Sequence, residues 1–201
     1  MRSPTLYVVL DQSGSMDEMA KIQVAINVLA FIRECQRLHL CAERWAFSGI
    51  RFVQWGESST LADLPDLVEM PTPHARGRAT IPNLITALDE ELVNTNGRDL
   101  RLLLLSDGAF SNADARLLKD WVKRREVAPR AIAIGADAAR STLDGILGKN
   151  AVFLPQDVAL ALTGWDAAID VGAGPLSIAD IVMPSADDGN VSGNGGDDGW
   201  E

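Results

Sequence analysis

Apolar runs alternate with helix-like patterns along residues 1–170. The run at residues 6–10 contains no charged side chain, which is typical of a strand that is buried on both faces of a sheet. Similar runs at 100–105, 131–135 and 152–154 predict further strands. Because strands that alternate with helices usually form a parallel sheet covered by those helices, the pattern predicts an α/β fold.

The segments between these strands have helical periodicity. Apolar residues recur at three- and four-residue spacing over residues 22–32 and again over 81–92. Thr80 is a good N-cap for the second of these helices. The Pro that follows is tolerated in the first turn, where its missing N–H costs nothing. A third helix is predicted at 111–126, and shorter ones near 142–147 and 157–169.

A hairpin is predicted toward one edge of the sheet. Residues 43–48 and 51–55 have the aromatic content of two short strands, and Gly49 and Ile50 separate them. The expected fold class is therefore α/β, with a doubly wound, mostly parallel central sheet, one antiparallel edge strand and helices on both faces.

Composition divides the chain into a domain and an extension. The 201 residues are 47% hydrophobic, which is enough for one sizeable core over residues 1–170. Residues 171–201 contain six acidic residues and no Lys or Arg, and thus carry most of the formal charge of -10. Their Gly-, Asp-, Asn- and Ser-rich composition predicts a partly disordered acidic extension.

Charge and residue usage exclude several function classes. An acidic chain is unsuited to nucleic acid or to an anionic membrane surface, both of which attract clustered Lys and Arg. The only cysteines, Cys35 and Cys41, are expected to be reduced thiols, and no Cys/His cluster has zinc spacing. No apolar run approaches the length of about 20 residues that spans a bilayer, and no signal-peptide core is present, so a cytoplasmic location is expected.

Oxygen-bearing side chains follow two of the predicted strands. Asp11, Ser13 and Ser15 come directly after the strand at 6–10, and Asp107 follows the strand at 100–105. Thr80 comes from a third loop, at the start of its helix. In an open α/β sheet, ligands bind beyond the carboxyl ends of the strands, so these loops are expected to meet at one point. The set predicts a six-coordinate Mg²⁺ or Mn²⁺ site, with Ca²⁺ less suitable.

The predicted site has only two formal negative charges. A bound divalent ion therefore keeps positive character, and we expect it to recruit a carboxylate from a protein partner. The alternative is structural, because Asp and Ser at this spacing are also common in turns and helix caps.

These motifs resemble the metal-ion-dependent adhesion site of von Willebrand factor type A domains. The resemblance rests on DQSGSM, GRATIPN and LLLLSDG, and it covers about residues 4–168. It implies that Ser13, Ser15 and Thr80 contact the metal directly, whereas the Asp residues act partly through water. The family often has Gly-Gly before the Thr, and Arg78-Ala79 replaces it here. The resemblance also implies a stand-alone bacterial-type cytoplasmic adaptor that works beside a MoxR-type AAA+ ATPase or in a stress or defence complex.

The same residues are also compatible with two other functions and with one form of regulation. A metal-dependent phosphoesterase or hydrolase is the alternative, but an aspartyl-phosphate enzyme needs a second Asp where Ser13 stands, and no G-x-S-x-G elbow is present. An empty, vestigial site is the second. The third is regulation, in which a carboxylate of the acidic extension occupies the metal. We expect the chain not to be an enzyme.

Overall fold

The computed structural model describes residues 4–38, 47–57, 59–63, 77–92, 100–163 and 165. The chain order of the strands and α-helices is β1 (Thr5–Asp11), α1 (Lys21–Arg37), β2 (Gly49–Trp55), β3 (Ser59–Asp63), α2 (Ile81–Leu92), β4 (Leu100–Ser106), α3 (Asn112–Arg125), β5 (Ala128–Ala133), α4 (Arg140–Leu147), β6 (Val152–Phe153) and α5 (Val158–Leu162). Short 3-10 helices lie at Gly14–Ala20, Lys149–Ala151 and Pro155–Asp157. No described helix is both long and apolar enough to cross a membrane.

The strands form one sheet in the order β3-β2-β1-β4-β5-β6. All neighbouring pairs are parallel except β2 and β3, which are antiparallel at one edge. The strands β2 and β3 therefore lie on one side of β1, whereas β4, β5 and β6 lie on its other side. The strand order reverses between β1 and β4. The predicted α/β class with a mostly parallel sheet is confirmed.

Two apolar layers cover the sheet because successive side chains of a strand point to opposite faces. On β1, Tyr7 and Val9 pack in the layer that contains the buried stripes of α2, α3 and α4. Leu6, Val8 and Leu10 pack in the layer that contains those of α1 and α5. The two layers make the fold doubly wound.

The predicted hairpin is displaced along the chain. Gly49 and Ile50, predicted as its turn, are the first residues of β2, and the antiparallel partner is β3, which follows β2. Phe47 and Ser48 lie outside any strand, and residues 43–46 lie outside the described part of the chain. The physical reason is burial: Ile50 packs in the same apolar layer as Phe52, whereas a turn would expose it.

The first helix begins at Lys21, directly before its predicted apolar stripe. A 3-10 segment precedes α1, and Met19 and Ala20 at its end have left-handed backbone conformations, with φ of 50° and 56°. At the other end of the domain, α5 stops at Leu162, which is earlier than predicted. Residues 166–201, which include the predicted extension, lie outside the described residues, as do His39, Cys41 and His74.

Arg130 holds α5 against the sheet. This buried β5 side chain donates from Nη1 to the carbonyls of Leu160, Ala161 and Thr163, at 3.3, 2.7 and 2.7 Å. Its guanidinium carbon lies 4.4 Å from the centre of the Trp165 ring. The last carbonyls of α5, which have no partner within the helix, are satisfied in this way.

Candidate metal centre

The predicted site lies where the strand order reverses. β1 and β4 are neighbours, and the chain leaves them toward opposite sides of the sheet, so their carboxyl ends border a crevice. Asp11 is the last residue of β1, and Asp107 directly follows β4. The two predicted carboxylates are therefore brought to one place by adjacent parallel strands.

Asp11 is a buried carboxylate whose two oxygens are both held. Its exposed fraction is 1%. Oδ1 accepts the Ser13 amide at 2.8 Å, and Oδ2 accepts the Ser106 hydroxyl at 2.6 Å. Burial raises the pKa of Asp11 and the charge of Asp107 raises it further, although the bonds from Ser106 and Ser13 lower it. A nearby cation would relieve this cost of burying a negative charge.

Ser13 and Ser15 present their hydroxyls to the same space. Their Oγ atoms lie 3.1 Å apart. The Met16 amide donates to the Ser13 carbonyl at 3.0 Å, and the Met16 side chain is fully buried, which anchors the loop. The structure thus brings Asp11, Ser13 and Ser15 together.

Thr80 reaches the same crevice through its backbone contacts. Its carbonyl accepts the indole N–H of Trp55 at 2.9 Å, which fixes the start of α2 against the end of β2. Three residues earlier, the Gly77 carbonyl accepts the Gly14 amide at 3.1 Å. A cavity of about 180 Å³ is lined by residues of both loops, among them Asp11, Ser13 and Ala79. Thr80 lies between the lining residues Ala79 and Ile81 in the chain and is not itself among the residues that line the cavity.

Gly77 compensates in part for the absent Gly-Gly pair. Its φ is +89°, a conformation that L side chains rarely adopt, and a Cβ there would collide with the side chain of Glu57. The left-handed position before Thr80 is thus Gly77, three residues upstream, and not Arg78 or Ala79.

Two functional candidates were missed at the sequence level, Ser106 and Lys21. Ser106 is fully buried, and besides its bond to Asp11 it accepts the Gly108 amide at 3.0 Å. Its signal was a hydroxyl directly before Asp107. Lys21 was detectable by spacing, because it lies four residues before Ala25 on the buried stripe of α1.

Lys21 bridges two carboxylates from different loops. Its Nζ lies 3.0 Å from Asp107 Oδ2 and 2.8 Å from Asp137 Oδ2. Burial opposes its charge, but hydrogen bonds to Asp137 and Asp107 raise the pKa of Lys21 above its ordinary value. The same bond from Lys21 lowers the pKa of Asp137. The other oxygen of Asp107 accepts the Ala109 amide at 3.0 Å, so this carboxylate is also held on both sides.

The donor chemistry fits a small hard cation. Carboxylate and hydroxyl oxygens suit Mg²⁺ or Mn²⁺, and the two carboxylates are preoriented by protein donors. Among the described residues, no group of three or more His, Cys, Asp or Glu side chains could hold a metal. The hydroxyl-rich set, with only two carboxylates, is a site of a different kind.

The fold is similar to that of several solved structures. Proximal thread matrix protein 1 from the mussel byssus matches with a TM-score of 0.55 and 17% identity, over 80% of this chain and 46% of that chain. An aerotolerance-related membrane protein from Bacteroides fragilis matches with a TM-score of 0.53 and 10% identity, over 75% of this chain and 90% of that chain. A von Willebrand factor type A structure from Catenulispora acidiphila has a TM-score of 0.49 and 17% identity, over 80% and 41% of the chains.

These comparisons bear on the fold alone, because the identities are low. This chain spans just under half the length of the mussel protein. No family model and no curated protein matches the sequence. The strand order, the two helical layers and the likeness to the mussel and Bacteroides structures agree with the resemblance to von Willebrand factor type A domains that the sequence motifs indicated.

Proposed function

We propose that this chain is a divalent-metal-dependent protein-binding module whose ion coordinates a carboxylate of a partner protein. The observation that carries the proposal is the buried Asp11 at the switch point, preoriented beside the paired hydroxyls of Ser13 and Ser15. The proposed ligand set is Asp11, Ser13, Ser15, Thr80 and Asp107.

The ion would supply a coordination position that the site's own ligands leave open. Three of the five ligands are neutral hydroxyls, and the crevice beside them is open to the outside. A six-coordinate Mg²⁺ or Mn²⁺ prefers to complete its shell with water or an anionic oxygen. A carboxylate from another protein meets both requirements, since it offers an oxygen ligand and a compensating charge.

The geometry supports binding over phosphoester hydrolysis. An aspartate nucleophile is directed at its substrate, whereas both oxygens of Asp11 are oriented by donors of the protein itself, Ser13 and Ser106. The second lone pair of each oxygen stays available to a metal ion or its water. A carboxylate fixed in this way is suited to orient a ligand or a metal-bound water. The proposal therefore describes a binding protein and not an enzyme.

The partner and the location belong to the proposal as well. On the family resemblance, the partner is a protein with an exposed acidic residue, such as a MoxR-type AAA+ ATPase or a member of its complex, in the cytoplasm. Nucleic acid and membrane are not proposed as partners, given the formal charge of -10.

Calorimetric titration with Mg²⁺ and Mn²⁺ tests the metal site. Wild type is expected to bind one ion per chain, and Ser13→Ala is expected to weaken binding by about tenfold or more, as loss of a ligand should exceed loss of an outer-shell partner. Ser48→Ala is the matched control, because Ser48 is exposed and directly precedes β2, at the amino ends of the parallel strands and thus at the end opposite the site. It should leave the affinity unchanged. Absence of binding at millimolar metal refutes the proposal.

Affinity capture in Mg²⁺ and in EDTA tests the bridge to a partner. Proteins retained in Mg²⁺ should be released by EDTA and absent from captures with Ser13→Ala. A partner that stays bound under both conditions would contradict the metal bridge. Mn²⁺-dependent hydrolysis of an aryl phosphate that is lost in Asp11→Ala would favour the hydrolase alternative.

A further inference from the structure

We propose that Lys21 sets the charge of this metal centre, so that the bound ion keeps one more unit of positive charge for the partner's carboxylate. The inference deepens the proposed function and rests on it. No sequence motif of the site includes this lysine, and its role comes from three observations: its contacts, the space made for it and the charge balance around it.

The ammonium group of Lys21 is buried inside the site. Lys21 is 2% exposed and Asp107 is 3% exposed, and their charged atoms lie 3.0 Å apart. Since the ion would lie beside Asp107, it would also lie close to this ammonium, with little water between them to screen their interaction. A charge in that position acts on the ion more strongly than any surface lysine.

The fold makes space for the Lys21 side chain at Gly135. This residue follows β5 and has φ of +97°. A Cβ at Gly135 would stand 2.9 Å from Cε of Lys21 and 2.8 Å from Oδ1 of Asp137, which is closer than real Cβ contacts. The positive φ favours glycine at this position, and the absence of a Cβ leaves the ends of both side chains uncrowded. Loops that follow β4 and β5 and the first turn of α1 all meet at the ammonium group.

Stability explains this lysine only as a counter-charge to the buried Asp107. A buried ion pair is often replaceable by apolar residues of similar volume without loss of stability, because desolvation of the two charges offsets their attraction. Lys21 also occupies a place on the apolar stripe of α1, where Met would continue the pattern. A role in the chemistry of the site explains its presence better.

Lys21 adds one unit of positive charge to the centre. Asp11 and Asp107 bring two negative charges, which a divalent ion alone would cancel. Lys21 leaves the buried groups with one net negative charge, so a divalent ion makes the centre positive. Asp137 also contacts the ammonium, at 2.8 Å, but it is 46% exposed, so water on its open side weakens its effect on the ion without removing it. The centre as a whole is then attractive to an outside anion, at the expense of its affinity for the metal.

Mn²⁺ titration of Lys21→Met and Lys21→Gln tests the inference. Even with the dielectric constant of water, removing a unit charge a few ångströms from a bound ion changes the Kd of a divalent cation by about tenfold and that of a monovalent anion by about threefold, so these are minimum effects for the buried Lys21. We therefore expect Mn²⁺ to bind both variants about tenfold more tightly than wild type, and acetate to bind the Mn²⁺-loaded variants about threefold more weakly. Lys21→Gln retains a donor toward Asp107 and guards against misfolding of Lys21→Met.

Lys149→Met is the matched charge control. Lys149 is exposed and lies in the 3-10 helix before β6, at the amino ends of the parallel strands and thus at the end opposite the site, so its loss should change neither constant. If wild type binds Mn²⁺ and the Lys21 variants bind it equally or more weakly, the inference is overturned and the proposed function stands. If neither wild type nor the variants bind Mn²⁺, both fail.

Discussion

Replacing Ser106 with Ala removes two hydrogen bonds from the most buried part of the site. The Ser106 hydroxyl donates to Asp11 Oδ2 at 2.6 Å and accepts the Gly108 amide at 3.0 Å. Ser106 has no exposed surface, so water cannot readily replace the lost oxygen. The substitution therefore leaves a buried carboxylate oxygen and a buried N–H with one partner fewer each.

The cost follows from the two bonds. A hydrogen bond to a charged group contributes about 1.5–3 kcal/mol, and a neutral one contributes about 1 kcal/mol. Their loss should lower the free energy of unfolding of the metal-free protein by about 3 kcal/mol. For a domain of this size each kcal/mol shifts Tm by about 2–4 °C, so Tm should fall by roughly 10 °C.

Urea and thermal unfolding in EDTA measure this loss, with Ser111→Ala as the matched control. The exposed Ser111 is the N-cap of α3 and accepts the Asp114 amide at 3.1 Å, and its loss should cost about 1 kcal/mol. Because Ser106 orients Asp11, Mg²⁺ affinity should also fall about 10- to 100-fold in Ser106→Ala. A loss of stability no larger than that of Ser111→Ala would refute the view that Ser106 supports a buried charge.

Three further predictions concern the fold around the site. Ala20→Gly should raise the free energy of unfolding by about 0.5–1 kcal/mol, because the exposed Ala20 has a left-handed backbone; a decrease in urea unfolding experiments would contradict this. Burial and the neighbouring Glu91 raise the pKa of Tyr7 to about 12. Because Tyr7 is the only tyrosine, tyrosinate absorbance should appear near pH 12 in the native protein and near pH 10 in denaturant. Since the folded pKa is the higher one, the stability linked to Tyr7 is complete below pH 10 and is lost toward pH 12, and Tyr7→Phe should abolish this loss. Arg130→Met should cost about 3 kcal/mol and red-shift tryptophan emission as Trp165 becomes hydrated, and unchanged emission would count against the proposed anchoring of α5.

Most of the fold was predictable because it follows from periodicity. The apolar runs at residues 6–10 and 100–105 became β1 and β4, and the cap at Ser111 begins α3 as expected. The hairpin was wrong because Gly49 suggested a turn, whereas pairing along the whole of β1 continues β2 back to that residue. Local propensity does not include pairing with a strand that is distant in the chain.

The site divides in the same way. Asp11, Ser13 and Ser15 were found because they follow a buried strand at a recognisable spacing, and Asp107 because it follows a second one. Their role as metal ligands stays a prediction. Lys21 escaped notice because a lysine at the start of a helix is ordinarily exposed, and only its depth within the crevice shows it as a partner of Asp107.

By itself, the sequence determined the α/β class, the strands that carry the site and the oxygen-rich chemistry of the loops that follow them. These properties depend on local periodicity and on residue type. Only the tertiary structure decided that β4 lies beside β1, so that Asp11 and Asp107 share one crevice. It also decided that a buried lysine joins them. Both depend on contacts between residues 86 or more positions apart, and no local pattern in the chain encodes such contacts.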